Sequence, residues 1–231
     1  MKQFVLEVWG DFACFTRPET KVERFSYPVM TPSAARGFLE AIYAKPIEFC
    51  WRIDKIEVLN PIKFIPLKRN EVKERIPSIR DNIVQRGGEF QLIAADDTGG
   101  DAKGRTQRQT IALKDVRYRI HAHIVLRRGF EHMLKGIEEQ ATRRIVNGKC
   151  YYQPYFGCRE FSGYFEFAKD EGLSLNNNSD MDIGFMLYDV FDLDKVIIGN
   201  APPFISLFYA ELKDGILDIP SWESNLVKKP V

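Results

Sequence analysis

The chain has 231 residues, a formal net charge of +1 at pH 7, 45% hydrophobic and 28% charged residues. Those values describe a soluble globular protein long enough to bury a sizeable core, and no apolar run approaches a membrane span. The four cysteines, Cys14, Cys50, Cys150 and Cys158, form no CxxC pair and fit no zinc spacing, so they read as reduced, mostly buried thiols.

In chain order, residues 3–9 alternate Val5, Glu7 and Trp9 with Phe4, Leu6 and Val8, which predicts a first strand. Glu7 and the lack of a cleavage site argue against a signal peptide, and a cytoplasmic location is expected. Residues 10–30 form a long loop carrying Arg17, Lys21, Arg24, Phe25 and Tyr27, able to fold over a ligand. Residues 31–46 read as one short helix. Thr31 is placed to cap it, Pro32 suits its first turn, and Pro46 stops it. Ala35, Phe38, Leu39 and Ile42 make its apolar face, with Tyr43 at the boundary in the last turn.

Residues 48–60 predict a second strand, followed by an extended piece over 61–66. Residues 68–109 are polar, with glycine pairs on either side of a strand-like 89–95, and read as a hairpin-bearing insertion. Residues 110–127 are the clearest strand pair. Val116, Tyr118, Ile120, Ala122 and Ile124 share one face, and Arg117, Arg119, His121 and His123 the other. That second face is either a solvated surface or a phosphate-binding one with titratable groups. Residues 130–146 predict a second helix ended at Gly148, with His132, Lys135, Arg143 and Arg144 off its apolar stripe. Residues 151–167 are extended and aromatic. Residues 183–191, 203–212 and 216–219 read as strands, with a tight turn at Asp214-Gly215 and a surface loop around Asn176-Asn177-Asn178.

The order strand, helix, strand, insertion, strand, helix, strand predicts an α+β fold of modified ferredoxin-like βαββαβ type, with an inserted β-hairpin and a β-rich C-terminal extension. Domain bounds follow at 1–160, with the insertion at about 68–109, and at 161–231 for a small β-rich C-terminal domain. Charge is uneven: residues 1–159 hold 28 Lys and Arg against 19 Asp and Glu, and residues 160–231 hold 5 against 13. A basic N-terminal part invites a polyanion, and non-specific duplex DNA is one candidate. Nucleotide-loop, zincin and serine-hydrolase motifs are missing, and neither a metal nor a cofactor is expected.

Several blocks together resemble one family: Trp9 to Lys21, Glu23-Arg24-Phe25-Ser26-Tyr27, Ala41 to Pro46, Leu113-Lys114-Asp115-Val116 with Ala122-His123, and Pro154 to Phe161. They resemble the CRISPR-associated Cas-five family of the RAMP superfamily, subtype I-C (Dvulg-type), across nearly the whole chain. The resemblance implies an RRM-like RAMP domain. It also implies a metal-independent endoribonuclease that cuts precursor CRISPR RNA in the repeat hairpin. The product crRNA then stays bound by its 5′ handle within the Cascade complex, whose backbone and large subunits become partners. The other reading is a non-catalytic subunit that holds the 5′ handle.

In the family a tyrosine at the end of the first helix works with a Lys-His pair. The tyrosine corresponds to Tyr43. Gly136-Ile137-Glu138 stand where the pair is expected, so His132, Lys135, His121 and His123 become the nearby candidates. Metal-free cleavage needs a base for the 2′-hydroxyl, an acid for the leaving oxygen and positive charge at the phosphate. Arg17, Lys21, Arg24 and Arg36 near the first helix are candidate RNA contacts. So are Arg105 and Arg108 in the insertion, Arg117 and Arg119 on the strand, and Arg143, Arg144 and Arg159 beyond it.

Overall fold

A computed structural model describes residues 2–20, 22–73, 96, 104–169, 180–196 and 202–230. The expected hairpin strand at 89–95, the loop at Asn176-Asn177-Asn178 and Lys21 lie outside those residues. Among the described residues the fold is α+β, mainly an antiparallel sheet with two helices. The strands are β1 (Gln3–Ala13), β2 (Arg24–Phe25), β3 (Phe49–Val58), β4 (Phe64–Val72), β5 (Arg105–Leu126), β6 (Tyr164–Phe167), β7 (Met181–Asp189), β8 (Ser206–Lys213) and β9 (Ile216–Asp218). The helices are α1 (Pro32–Ile42) and α2 (Leu134–Val146), the second entered through a single 3-10 turn at Glu131–Met133.

The chain divides into two compact units, Met1–Ile65 with Ile111–Val231, and Pro66–Thr110. In the larger unit the strands run in the order β6-β1-β5-β3-β9-β8-β7. β1 lies antiparallel to both β5 and β6, and β3 antiparallel to β5. The C-terminal strands extend this same sheet: β9 pairs with β3 through Ile56↔Leu217, and β8 pairs with β9 and β7. Within the smaller unit, Arg108 reaches Glu71 at 2.9 Å, and the Lys73 N–H donates to the Gly104 carbonyl at 2.9 Å.

β5 is a single strand of 22 residues where the sequence suggested a pair. Asp115 interrupts its regularity at φ 54°, a left-handed conformation that aspartate tolerates, and Asn60 Nδ2 donates to the Asp115 carbonyl at 2.8 Å. Alternation then sends Tyr118, Ile120, Ala122 and Ile124 into the core, where they meet Phe4, Leu6, Val8 and Trp51. α1 adds Ala35, Phe38, Leu39 and Ile42 to this core, and α2 adds Ile137, Ala141 and Ile145.

α1 begins where the sequence predicts. Thr31 Oγ1 accepts the Ala34 N–H at 3.2 Å, and Pro32 occupies the first turn. Its middle is fixed by charge. Arg36 is 4% exposed and holds Asp189 at the end of β7 through two bonds, Nε to Oδ2 at 2.7 Å and Nη2 to Oδ1 at 3.0 Å. Asp189 Oδ1 also accepts the N–H groups of Val190 and Phe191. Replacing Asp189 by Ala removes the bidentate partner and leaves the buried guanidinium with Glu40 alone, and we expect a loss of about 3 kcal/mol in denaturant unfolding. The apolar pair Arg36→Met with Asp189→Leu should recover most of that loss.

Candidate active site

Tyr43 is the residue that follows α1, and its extended backbone (φ −152°) ends the helix while its N–H still donates to the Leu39 carbonyl. Helix ends leave carbonyls without partners. Here three carbonyls at the helix end find donors. The Ala41 carbonyl accepts the Tyr151 N–H at 2.6 Å, the Ile42 carbonyl accepts Arg144 Nη1 at 3.1 Å, and the Tyr43 carbonyl accepts the Trp51 indole N–H at 2.8 Å. The phenol ring packs 5.3 Å from Phe49, with the Arg144 guanidinium 5.5 Å from its centroid. Burial raises the Tyr43 pKa above its ordinary value. Lys45, Arg144 and Arg143 oppose that shift, and Glu48 adds to it. A phenol so placed stays protonated at neutral pH and donates rather than accepts a proton.

The candidate histidines stand apart from this phenol. β5 alternation puts His121 and His123 on the sheet face opposite Ala122 and Ile124, whereas Tyr43 packs through Phe49 and Trp51 on the core face. His121 Nε2 lies 2.8 Å from Glu57, and His123 Nδ1 lies 2.8 Å from Asp54. Arg117 pairs with Glu7 and lies over the Trp9 ring. Arg119 lies 3.7 Å from Glu7 and 3.4 Å from Glu57. This face is thus a charged lattice built on two nearly buried carboxylates, Glu7 and Glu57. His132 and Lys135 are exposed at the start of α2, whereas Arg144 reaches Tyr43 from its end. At 1.5 Å per residue, Lys135 is about 14 Å along the helix from Arg144.

Of the cations singled out in the sequence, Arg36 is corrected to a core residue, because Asp189 and Glu40 hold its guanidinium in the interior. Arg17 stacks over Tyr27 at 4.7 Å and lies 3.7 Å from Glu19, and Arg24 donates to Cys158 Sγ at 3.2 Å. Arg105 is exposed, 3.7 Å from Asp96, and Arg108 pairs with Glu71. Arg143 is exposed and bonds the neutral Gln140, and Arg159 is exposed beside Tyr152 and Tyr155. Sequence reasoning passed over those tyrosines. The signal was the run Tyr151-Tyr152-Gln153-Pro154-Tyr155, too rich in phenols for a simple connector. Cys14, Cys50 and Cys158 are buried and Cys150 half-buried, all as free thiols. Among the described residues no His, Cys, Asp and Glu cluster suits a metal, and no helix is long and apolar enough to cross a membrane.

An antiparallel α+β sheet with two helices agrees with the family that the sequence matches. The model of the CRISPR-associated protein family Cas_Cas5, Cas5d type, matches residues 4–216. The chain belongs to this Cas5d family. It is 41% identical to a protein of Mannheimia succiniciproducens named CRISPR pre-crRNA endoribonuclease Cas5d, over 97% of each chain. It is 36% identical to a protein of the same name from Thermus thermophilus, covering 96% of this chain and 93% of that one. A crystal structure of a CRISPR-associated protein has the same fold, with a TM-score of 0.65 at 21% identity over 98% of this chain and 96% of that one.

The His121 environment makes a pH prediction. Burial lowers its pKa, Lys55 and Arg119 add to the shift, and Glu57 opposes it. The unfolded chain therefore takes up this proton at higher pH than the folded one. The resulting stability is complete above the ordinary value of about 6.5 and declines as pH falls below it. Glu57, whose pKa is lowered, loses its own contribution only at more acid pH. Denaturant midpoints should fall between pH 7.5 and 5.5, and His121→Gln should flatten that fall.

Proposed function

We propose that the chain is the subtype I-C endoribonuclease that cuts precursor CRISPR RNA without a metal and keeps the 5′ handle of the crRNA within a Cascade complex. The Tyr43 phenol, held protonated at the end of α1 with Arg144 over its ring, carries the reading. The names of two relatives that align over nearly their whole length support the substrate. The strand order β6-β1-β5-β3, with α1 between β1 and β3 and α2 between β5 and β6, supports a ferredoxin-like βαββαβ core.

In this reading the ribose 2′-hydroxyl attacks the adjacent phosphorus and closes a 2′,3′-cyclic phosphate as the bond to the leaving 5′-oxygen breaks, the hydroxyl proton passing to solvent and the leaving oxygen taking one up from solvent. Tyr43 donates a hydrogen bond to the phosphate, and the neighbouring cations stabilise the charge that builds on it. In-line positioning contributes as much as proton transfer, because the attacking group is already part of the substrate. His132 and Lys135, at the far end of α2, guide the RNA path rather than the reacting phosphate. Arg105 and Arg108 of the inserted segment supply further phosphate contacts. The placement of His121 and His123 on the sheet face opposite that of Tyr43 favours a second reading, in which the chain only binds the 5′ handle.

The test uses purified protein and the repeat RNA of its own CRISPR array. Cleavage should proceed in EDTA and stop when the scissile nucleotide is 2′-deoxy. Tyr43→Phe should slow it about 10²-fold or more while binding stays nearly unchanged. Equal cleavage by the variant would remove Tyr43 from the chemistry. Tight binding with no product from the wild type would leave only the handle-binding reading.

A further inference from the structure

The segment between α2 and β6 holds a cleft of about 580 Å³ that the cleavage chemistry leaves unused, lined by Tyr152, Gln153, Tyr155 and Arg159. A volume of that order suits one small planar group with its polar attachments. Tyr152 is 50% exposed, and its ring lies 6.4 Å from that of Tyr155 with the planes 33° apart. The Gln153 amide is fixed by donating Nε2 to the Gly163 carbonyl at 2.7 Å, which leaves its oxygen as an acceptor. Arg159 is exposed and has no carboxylate within ion-pair distance among the described residues. Two phenols, an amide and an unpaired guanidinium at one spot are the groups that stack a base, read its edge and hold its phosphate.

The segment is rigid before any ligand arrives. The Cys14 N–H donates to the Phe156 carbonyl at 3.0 Å, the Phe156 N–H to Phe161 at 2.8 Å, and the Gly163 N–H to Pro154 at 2.8 Å. Gly157 has φ +80° and sits against the Cys14 carbonyl, where any Cβ would collide. Phe156 is fully buried beneath the segment. Tyrosines on such a support lose little entropy on contact. A second hollow shares Tyr152 and Tyr155 and runs on past Ser33 and Gly37 of α1, where the surface is open.

We infer that Tyr152, Tyr155, Gln153 and Arg159 form a subsite for one unpaired RNA nucleotide, its base on the tyrosines and its phosphate on Arg159. The inference rests on the RNA-processing reading above and adds where a single-stranded flank sits. The Tyr151 N–H bond to the Ala41 carbonyl ties this segment to the end of α1. A duplex has no open base face to offer the phenols, so single-stranded RNA is the occupant.

The test uses the array's repeat hairpin, made uncleavable by a 2′-deoxy scissile nucleotide, with and without its single-stranded flank. 2-Aminopurine is placed at each flank position in turn. The wild type should quench it at one position. Tyr152→Ala with Tyr155→Ala should abolish the quench and weaken the flanked hairpin roughly 5- to 100-fold, leaving the blunt hairpin unaffected. Tyr152→Phe with Tyr155→Phe should retain both properties. Arg159→Ala should weaken binding and reduce the salt slope by about one. Undiminished binding of the flanked hairpin by the double alanine variant, or equal weakening of both hairpins, overturns the subsite. In that event, wild-type cleavage of the unmodified repeat would keep the nuclease reading intact. A wild type that neither binds nor cuts the repeat would sink both.

Discussion

A guanidinium taken out of water and held between two carboxylates fixes the arrangement. Arg36 and Asp189 are 153 residues apart in sequence, and their bidentate contact pins α1 to the end of β7. Burying such a pair is costly, and the cost is recovered only when every donor and lone pair is used. Here Glu40 takes Nη1, the Phe191 ring lies 5.5 Å from the guanidinium carbon, and two backbone N–H groups bind the carboxylate. The contact tolerates little sliding or rotation of the helix. Whatever α1 carries at its end inherits that fixity.

What it carries is Tyr43, and the end itself is equally determined. Donors from Arg144, Tyr151 and Trp51 fill the carbonyls that an isolated helix would give to water. The negative end of a helix also draws cations, which gives Arg144 a second reason to lie there. Its guanidinium satisfies a carbonyl and lies over the phenol ring. The same contact joins the end of α2 to the end of α1, so two elements remote in sequence define one small cationic rim.

Local chemistry made some of this legible in advance. The Thr31 cap, Pro32, the apolar spacing of α1 and the alternation along β5 all depend on near neighbours, and they read correctly from the sequence. Pairing does not. Nothing in residues 216–218 states that they will add to β3, because a strand's partner is set by register and burial across the whole fold. Arg36 reads as a surface cation on its own helix, since its partner lies at the other end of the chain. The two histidines of β5 could be placed on the face away from the core, but their partners Glu57 and Asp54 on β3 depend on strand register. The exposure of Tyr152 likewise follows from how the Gly157 turn packs on Cys14, a contact between segments far apart.

The charge surplus of the N-terminal part also changes meaning once its pairs are known. On the open face of β5, Glu7 and Glu57 already occupy Arg117, Arg119, Lys55 and His121. A polyanion landing there would compete with nearly buried carboxylates that cannot move into water to make way. On the side of the helices, Arg143 bonds a neutral glutamine and Arg159 lies beside tyrosines and an amide. A phosphate arriving at those arginines would break no ion pair recorded among the described residues and would gain a charge-assisted bond. Uncompensated charge, rather than total charge, therefore distinguishes the two sides of the sheet. On the histidine face the charges are already paired.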